Sequence, residues 1–116
     1  MLTEWTPRNS RSEAGANICI VSVGRNVGSE PMDDEVWQNF QSDVWTSLAL
    51  YVGRPDFVVV GKGGKWEGDA EESAVFTVLN PDVESADKLY ESLTYLADAY
   101  FQDAIAVTFG TSKLVG

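Results

Sequence analysis

Apolar and polar positions along this chain follow two alternating rhythms, and the same succession of rhythms occurs twice. Asn17 to Val23 is a β-branched run that predicts a first strand. From Pro31 to about Val52 the spacing becomes helical: Trp37, Phe40, Val44, Leu48 and Tyr51 recur every three or four residues and form one apolar stripe. Pro31 suits a first helical turn, and Asp33, Asp34 and Glu35 complement the positive end of the helix dipole. Gly53 and Pro55 end that helix. A second strand begins at Phe57 and continues through glycines to Trp66. Glu67-Gly68-Asp69-Ala70 reads as a hairpin tip, and Glu72 to Leu79 returns as a third strand. Asn80-Pro81-Asp82 opens a second helix with Asp82 as its N-cap. Its stripe is Ala86, Leu89, Leu93, Leu96, Ala97 and Tyr100. Ala104 to Phe109 is the fourth strand, with Ile105, Val107 and Phe109 on one face.

Two strand–helix–strand units joined by a hairpin predict an α+β fold of ferredoxin-like βαββαβ type. Its four-stranded antiparallel sheet would carry both helices on one face. Residues 1–15 are polar and aperiodic and read as a flexible N-terminal arm, in which Trp5, Arg8 and Arg11 could dock on a partner. Residues 16–116 form the single domain. The strands do not alternate as a half-exposed sheet should. Ile18 and Ile20 face one way, yet Cys19, Val21 and Val23 on the other side are also apolar, and Phe57 to Val60 repeats this. A sheet apolar on both faces needs a second cover, which predicts a homodimer packed through the sheet. The competing covers are the helix termini or the N-terminal arm.

Charge narrows the partners. Among 116 residues, 18 acids stand against 8 bases, a net charge of −10. Such a surface repels nucleic acid and anionic lipid and attracts basic proteins. The plainer account of the acidity is solubility. No apolar run is long enough to span a membrane. The start Met1-Leu2-Thr3-Glu4 lacks a basic end and an apolar core, so a cytoplasmic location is expected. The lone Cys19 lies between two isoleucines and reads as a small buried apolar side chain. The chain has no histidine. That excludes Ser-His-Asp and Cys-His schemes and argues against structural zinc, so neither metal nor cofactor is expected.

Three places remain as candidate chemistry. Gly61-Lys62-Gly63-Gly64-Lys65 resembles a phosphate cradle in composition, but Trp66 stands where a P-loop needs Ser or Thr, and a hairpin follows rather than a helix. Lys62, Lys65 and Trp66, with Arg25 nearby, form a candidate anion site. Gly24-Arg25-Asn26-Val27-Gly28 lacks the dinucleotide spacing and reads as a connecting loop. The third place is a set of carboxylates that could present rows to a basic partner. It comprises Asp33, Asp34 and Glu35, then Glu67, Asp69, Glu71 and Glu72, then Asp82, Glu84, Asp87 and Glu91. None of these matches a calcium loop. Tyr90, Tyr95 and Tyr100 read as packing residues of the second helix.

Trp37-x-x-Phe40, Gly64-Lys65-Trp66-x-Gly68 and Tyr100-Phe101-Gln102 together resemble a family of small bacterial ferredoxin-like proteins, a domain family of unknown function. The resemblance covers roughly residues 17–110. The chain departs from it in lacking a secretory start and in carrying Val52-Gly53-Arg54-Pro55 where the family tends to have a Pro-Phe-Pro-like linker. It implies the fold and carries over no catalytic residue. In size and charge the chain is also similar to small acidic proteins of phages and mobile elements.

The leading expectation is therefore a small acidic, homodimeric, non-enzymatic binding protein. One form of it is a phage-type inhibitor covering the nucleic-acid-binding surface of a basic partner. The first alternative is a protein that binds or sequesters a small molecule or anion near the Gly-Lys-Trp strand or the dimer interface. The second is a histidine-independent enzyme of the dimeric α+β barrel type.

Overall fold

The computed structural model describes residues 15–66, 69–113 and 115, with the backbone alone at 63–66 and 69–70. The elements are β1 (Ile18–Gly24), β2 (Asn26–Val27), β3 (Glu30–Pro31), α1 (Asp34–Tyr51), β4 (Phe57–Trp66), β5 (Asp69–Leu79), a 3₁₀ turn (Val83–Ser85), α2 (Ala86–Ala99) and β6 (Ala106–Gly110). Four strands form an antiparallel sheet in the order β4-β5-β1-β6, and with the two helices of the described residues they make a mixed α+β fold. The proposed arm, apart from Gly15, lies outside the described residues, as do Glu67 and Gly68 of the hairpin tip.

The β-branched run of β1 forms a central strand whose buried residues are Cys19, Val21 and Val23. Its partner β5 contributes Ala74, Phe76 and Val78 to the same face through the register Val23↔Ala74, Val21↔Phe76, Cys19↔Val78. Onto that face α1 lays Trp37, Phe40, Val44 and Leu48, and α2 lays Leu89, Leu93, Leu96 and Ala97. Removing this apolar surface from water is the main favourable term, at about 25 cal/mol per Å². The helices meet through a hydrogen bond between Ser47 Oγ and Ser92 Oγ at 2.6 Å. Phe40 also stacks on Tyr100 with ring centroids 4.5 Å apart.

Several boundaries differ from the sequence expectation. α1 begins at Asp34, not Pro31, because the Asp33 carboxylate caps the helix by accepting from Val36 N–H at 2.9 Å. Pro31 instead lies in β3, which pairs with β2 in a miniature hairpin where a plain loop was expected. Asp82 caps the 3₁₀ turn, accepting from Glu84 N–H at 3.0 Å, and α2 starts four residues later. Asp69 and Ala70 belong to β5 rather than to a turn. Tyr95 is 72% exposed and packs on nothing in the core.

The second sheet face carries Ile18, Ile20, Val75, Thr77 and Leu79, flanked across β4 by Phe57 and Val59. None of these is charged. Phe57 is 57% exposed and Val59 66% exposed, and Val58 and Val60 on the other side of β4 are exposed too. Apolar side chains thus project from both faces of the sheet, and among the described residues helices cover only one. Among the described residues no helix is long and apolar enough to cross a membrane.

Burial pushes the Cys19 thiol from its ordinary 9.0 up to about 12. The native state therefore holds a proton that the unfolded chain loses above pH 9.0. The Cys19 contribution to stability is intact below that pH and is lost as pH rises toward about 12. Urea denaturation from pH 8 to about 11.5 should show a steeper alkaline loss in the wild type than in Cys19→Ala.

Candidate functional site

Polar groups converge where β1 ends, β5 begins, α1 starts and α2 stops. Arg25 follows β1 directly. Its Nη1 donates to Glu72 Oε1 at 2.7 Å, its Nη2 to Asp34 Oδ1 at 2.6 Å, and its Nε to the Met32 carbonyl at 2.8 Å. Hydrogen bonds to the two carboxylates hold the guanidinium further into its charged form. The guanidinium thus closes the β2–β3 hairpin onto the sheet.

Glu71, the next residue along β5, faces the other way. Gly24 follows buried Val23, so a side chain at 24 would point to the open sheet face. The Glu71 carboxylate fills that space and would collide with any Cβ there. Its Oε2 accepts from Asn26 N–H at 2.9 Å. Glu71 is therefore a charged group at the end of an open face whose other described side chains are uncharged. Arg25, Asp34, Glu71 and Glu72 together leave an excess of negative charge here.

Across from Asn26, Gln102 donates from Nε2 to the Asn26 carbonyl at 3.1 Å. Its position comes from the end of α2. Gln102 N–H bonds the Ala97 carbonyl at 2.8 Å and Phe101 N–H the Asp98 carbonyl at 3.3 Å, a Schellman-type stop. Glycine usually occupies the left-handed position of that motif. Here it is Phe101, at φ 56° and 77% exposed. A bulky residue there stores strain, and the Gln102 amide is aimed by it. Nearby, Tyr100 Oη donates to Asp43 Oδ2 at 2.6 Å. Burial first, and that bond second, push its hydroxyl up to about 12. Trp37 Nε1 is buried without a hydrogen-bond partner.

A slot adjoins this end between α2 and β6. Leu93, Ala97, Ile105 and Val107 form its floor, with Tyr90, Thr94 and Ala104 at the rim. It is open to solvent and encloses about 30 Å³. The Tyr90 ring stands edge-on to Phe109 at 6.2 Å.

Of the sequence-derived candidates for an anion site, Arg25 and Lys62 both lie beside Glu72. Arg25 is held by carboxylates, and Lys62 lies opposite Glu72 in the β4–β5 register. The side chains of Lys65 and Trp66, and of Asp69, lie outside the described residues, as does Glu67. Asp33, Asp34, Glu35, Glu71 and Glu72 gather at one end of the sheet. Asp82, Glu84 and Asp87 sit beyond the far end of β5, with Glu91 further along α2. Asp33 and Asp82 cap helical turns, and Asp87 Oδ1 is buried without a partner. Among the described residues no group of three or more Cys, Asp and Glu side chains is placed to hold a metal ion. Gln102 and Asn26 escaped residue-by-residue reading, because their roles depend on a left-handed Phe101 and on strand register. The signal within reach was the Tyr100-Phe101-Gln102 segment.

No protein-family profile matches the chain, and no curated protein matches it. Among solved structures, it is similar to a phage SAM lyase in complex with S-methyl-5'-thioadenosine. The two share 16% sequence identity, the match covers 84% of this chain and 81% of that one, and the TM-score is 0.58. The family resemblance therefore stands at the level of fold. The comparison also corrects the expectation of a non-enzymatic interaction module, since the architecture matched along most of both chains is that of an enzyme.

Relief of the strain at Phe101 is measurable. Phe101→Gly should raise stability by about 1 kcal/mol in urea denaturation, because glycine takes the left-handed conformation without a Cβ clash.

Proposed function

We propose that this chain is a histidine-independent enzyme of ferredoxin-like fold that cleaves S-adenosylmethionine and releases S-methyl-5'-thioadenosine. The observation that carries this reading is the fold match to the phage SAM lyase over most of both chains. The strand order β4-β5-β1-β6, with a helix in each connection between parallel strands, supports the ferredoxin-like plan.

The chemistry suits a chain without histidine. A sulfonium sulfur is already an activated leaving group. The substrate's own carboxylate oxygen can attack the carbon that joins the amino-acid arm to sulfur. A carbon–oxygen bond forms as the carbon–sulfur bond breaks, and the electron pair passes to sulfur. The products are a neutral thioether nucleoside and a cyclic ester, and no proton moves. Protein groups need only fold the arm back on itself and hold its ends. The acidic balance steers a cationic substrate inward. Glu71 suits the substrate ammonium, which keeps its charge throughout, so its contribution is mainly to binding.

In this reading a second copy covers the open sheet face. Up to Glu71 that face carries apolar and neutral polar side chains and offers a way for two chains of net charge −10 to approach. Covering it would bury Glu71 and exclude water from the reacting arm.

Purified protein incubated with S-adenosylmethionine should yield S-methyl-5'-thioadenosine by liquid chromatography. Glu71→Gln should raise KM by about tenfold with a smaller change in kcat, equivalent to ~1.4 kcal/mol of binding. Folded wild-type protein that leaves the substrate intact overturns the proposal. For the assembly, sedimentation should give an oligomer for the wild type and a monomer for Val59→Glu. A monomeric wild type removes the second copy.

A further inference from the structure

We infer that the outer edge of β4 is an interaction surface for a second copy of this chain. The two β4 strands pair antiparallel across a two-fold axis at Val59. The inference goes beyond the activity proposed above and does not depend on it.

The edge is open and apolar. β4 hydrogen-bonds to β5 alone, so every second N–H and C=O along its other side lacks a strand partner. Phe57, Val58, Val59 and Val60 are all exposed there. The opposite edge strand, β6, carries no large exposed apolar side chain. Proteins usually blunt an apolar edge with proline, charge or a bulge. In β4 these devices stand outside the apolar run. Pro55 precedes it, and a bulge shifts the register between Lys62 and Gly64. Residues 57–62 pair with β5 without a shift, and Asp56 N–H bonds the Thr77 carbonyl at 2.7 Å, which keeps Asp56 in line. The straight stretch is thus 56–62, and Val59 is its centre.

That centre makes the stretch complementary to itself. A two-fold axis uses the same residues on both copies, so each contact occurs twice. With the axis at Val59, Val58 lies opposite Val60, Phe57 opposite Gly61, and Asp56 opposite Lys62. A Cβ at Gly61 would meet nothing within 4 Å, so the other copy's Phe57 ring has room to lie across it. Lys62 is available for Asp56, because Glu72 beside it is engaged by Arg25 at 2.7 Å. Among the described residues Lys62 forms no ion pair. Asp56 accepts from Leu79 N–H through Oδ2 at 2.7 Å, which leaves Oδ1 for the ammonium.

Neighbouring registers lose this match. An axis at Val58 sets Asp56 against Val60, and an axis at Val60 sets Lys62 against Val58. Each leaves a charge facing an apolar side chain. Residues 56–62 carry one acid and one base, so the two copies meet here without the repulsion expected between chains of net charge −10. Pairing places both pairs of helices on one side of a continuous sheet, four strands from each copy. The open face takes no part in it.

Charge exchange tests the edge. In sedimentation, Lys62→Glu and Asp56→Lys should each weaken self-association about tenfold or more, because both ion pairs become like-charge contacts. An equimolar mixture of the two variants should recover wild-type association, since both contacts are then opposite in charge. Crosslinking covers the case in which Asp56→Lys does not fold. Val58→Cys mixed with Val60→Cys should give a disulfide-linked dimer under diamide, far more than either variant alone. Both positions lie on the helix side of the sheet, where packing through the open face cannot join them. The native Cys19 is buried and does not compete. A monomeric wild type, unaltered association in Lys62→Glu, or no gain in crosslinking on mixing overturns the inference. Any of these leaves the release of S-methyl-5'-thioadenosine to be judged by its own assay.

Discussion

Alternate residues of β1 and β5 lie under two helices, and every other feature of the molecule is arranged around that burial. Cys19, Val21 and Val23 with Ala74, Phe76 and Val78 form one wall, and Phe40, Val44, Leu48, Leu89 and Leu93 form the other. A slip of one residue between β1 and β5 would turn the wall outward and expose it, so the register is held tightly. Because the register is held, the residues just past the strand ends are held too. Arg25, Asn26 and Gly24 emerge from β1 opposite Glu71 and Glu72 of β5, and the polar end of the sheet follows from the apolar middle.

That polar end divides its carboxylates by face. Glu72 turns toward the helices and joins Asp34 on Arg25, closing a small hairpin. Glu71 turns to the open face and fills the space above Gly24. Adjacent residues in a strand point to opposite sides, so one Glu-Glu pair supplies a structural carboxylate and one at the end of the open face. The strained Phe101 belongs to the same design, because it ends α2 abruptly and turns Gln102 onto Asn26.

Absence of histidine does not stand against the sulfonium cleavage proposed above. Acid–base catalysis matters where a poor leaving group must be protonated or a nucleophile deprotonated. A sulfonium substrate with its own carboxylate needs neither. Composition therefore excluded particular mechanisms and not catalysis as such, and the step from one to the other misdirected the functional expectation. The acidic balance, first read as attraction toward a basic protein, suits a cationic small molecule equally well.

Periodicity alone determined the elements, because apolar spacing of two or of three to four residues is a local property of the chain. The stripes of both helices, the buried parity of β1 and the greasy outer face of β4 were all legible in that way, as was the inert thiol. Helix starts were misjudged by three or four residues, since a capping carboxylate and a helical one look alike until hydrogen bonds are seen. Which carboxylate meets Arg25, which lies over Gly24, and how Ala97 and Ala104 leave a slot between α2 and β6 were decided by tertiary structure only. Arg25 and Glu72, like Gly24 and Glu71, are 47 positions apart along the chain, and the geometry of the polar end depends on strand register and on the left-handed Phe101, neither of which is encoded in any local pattern.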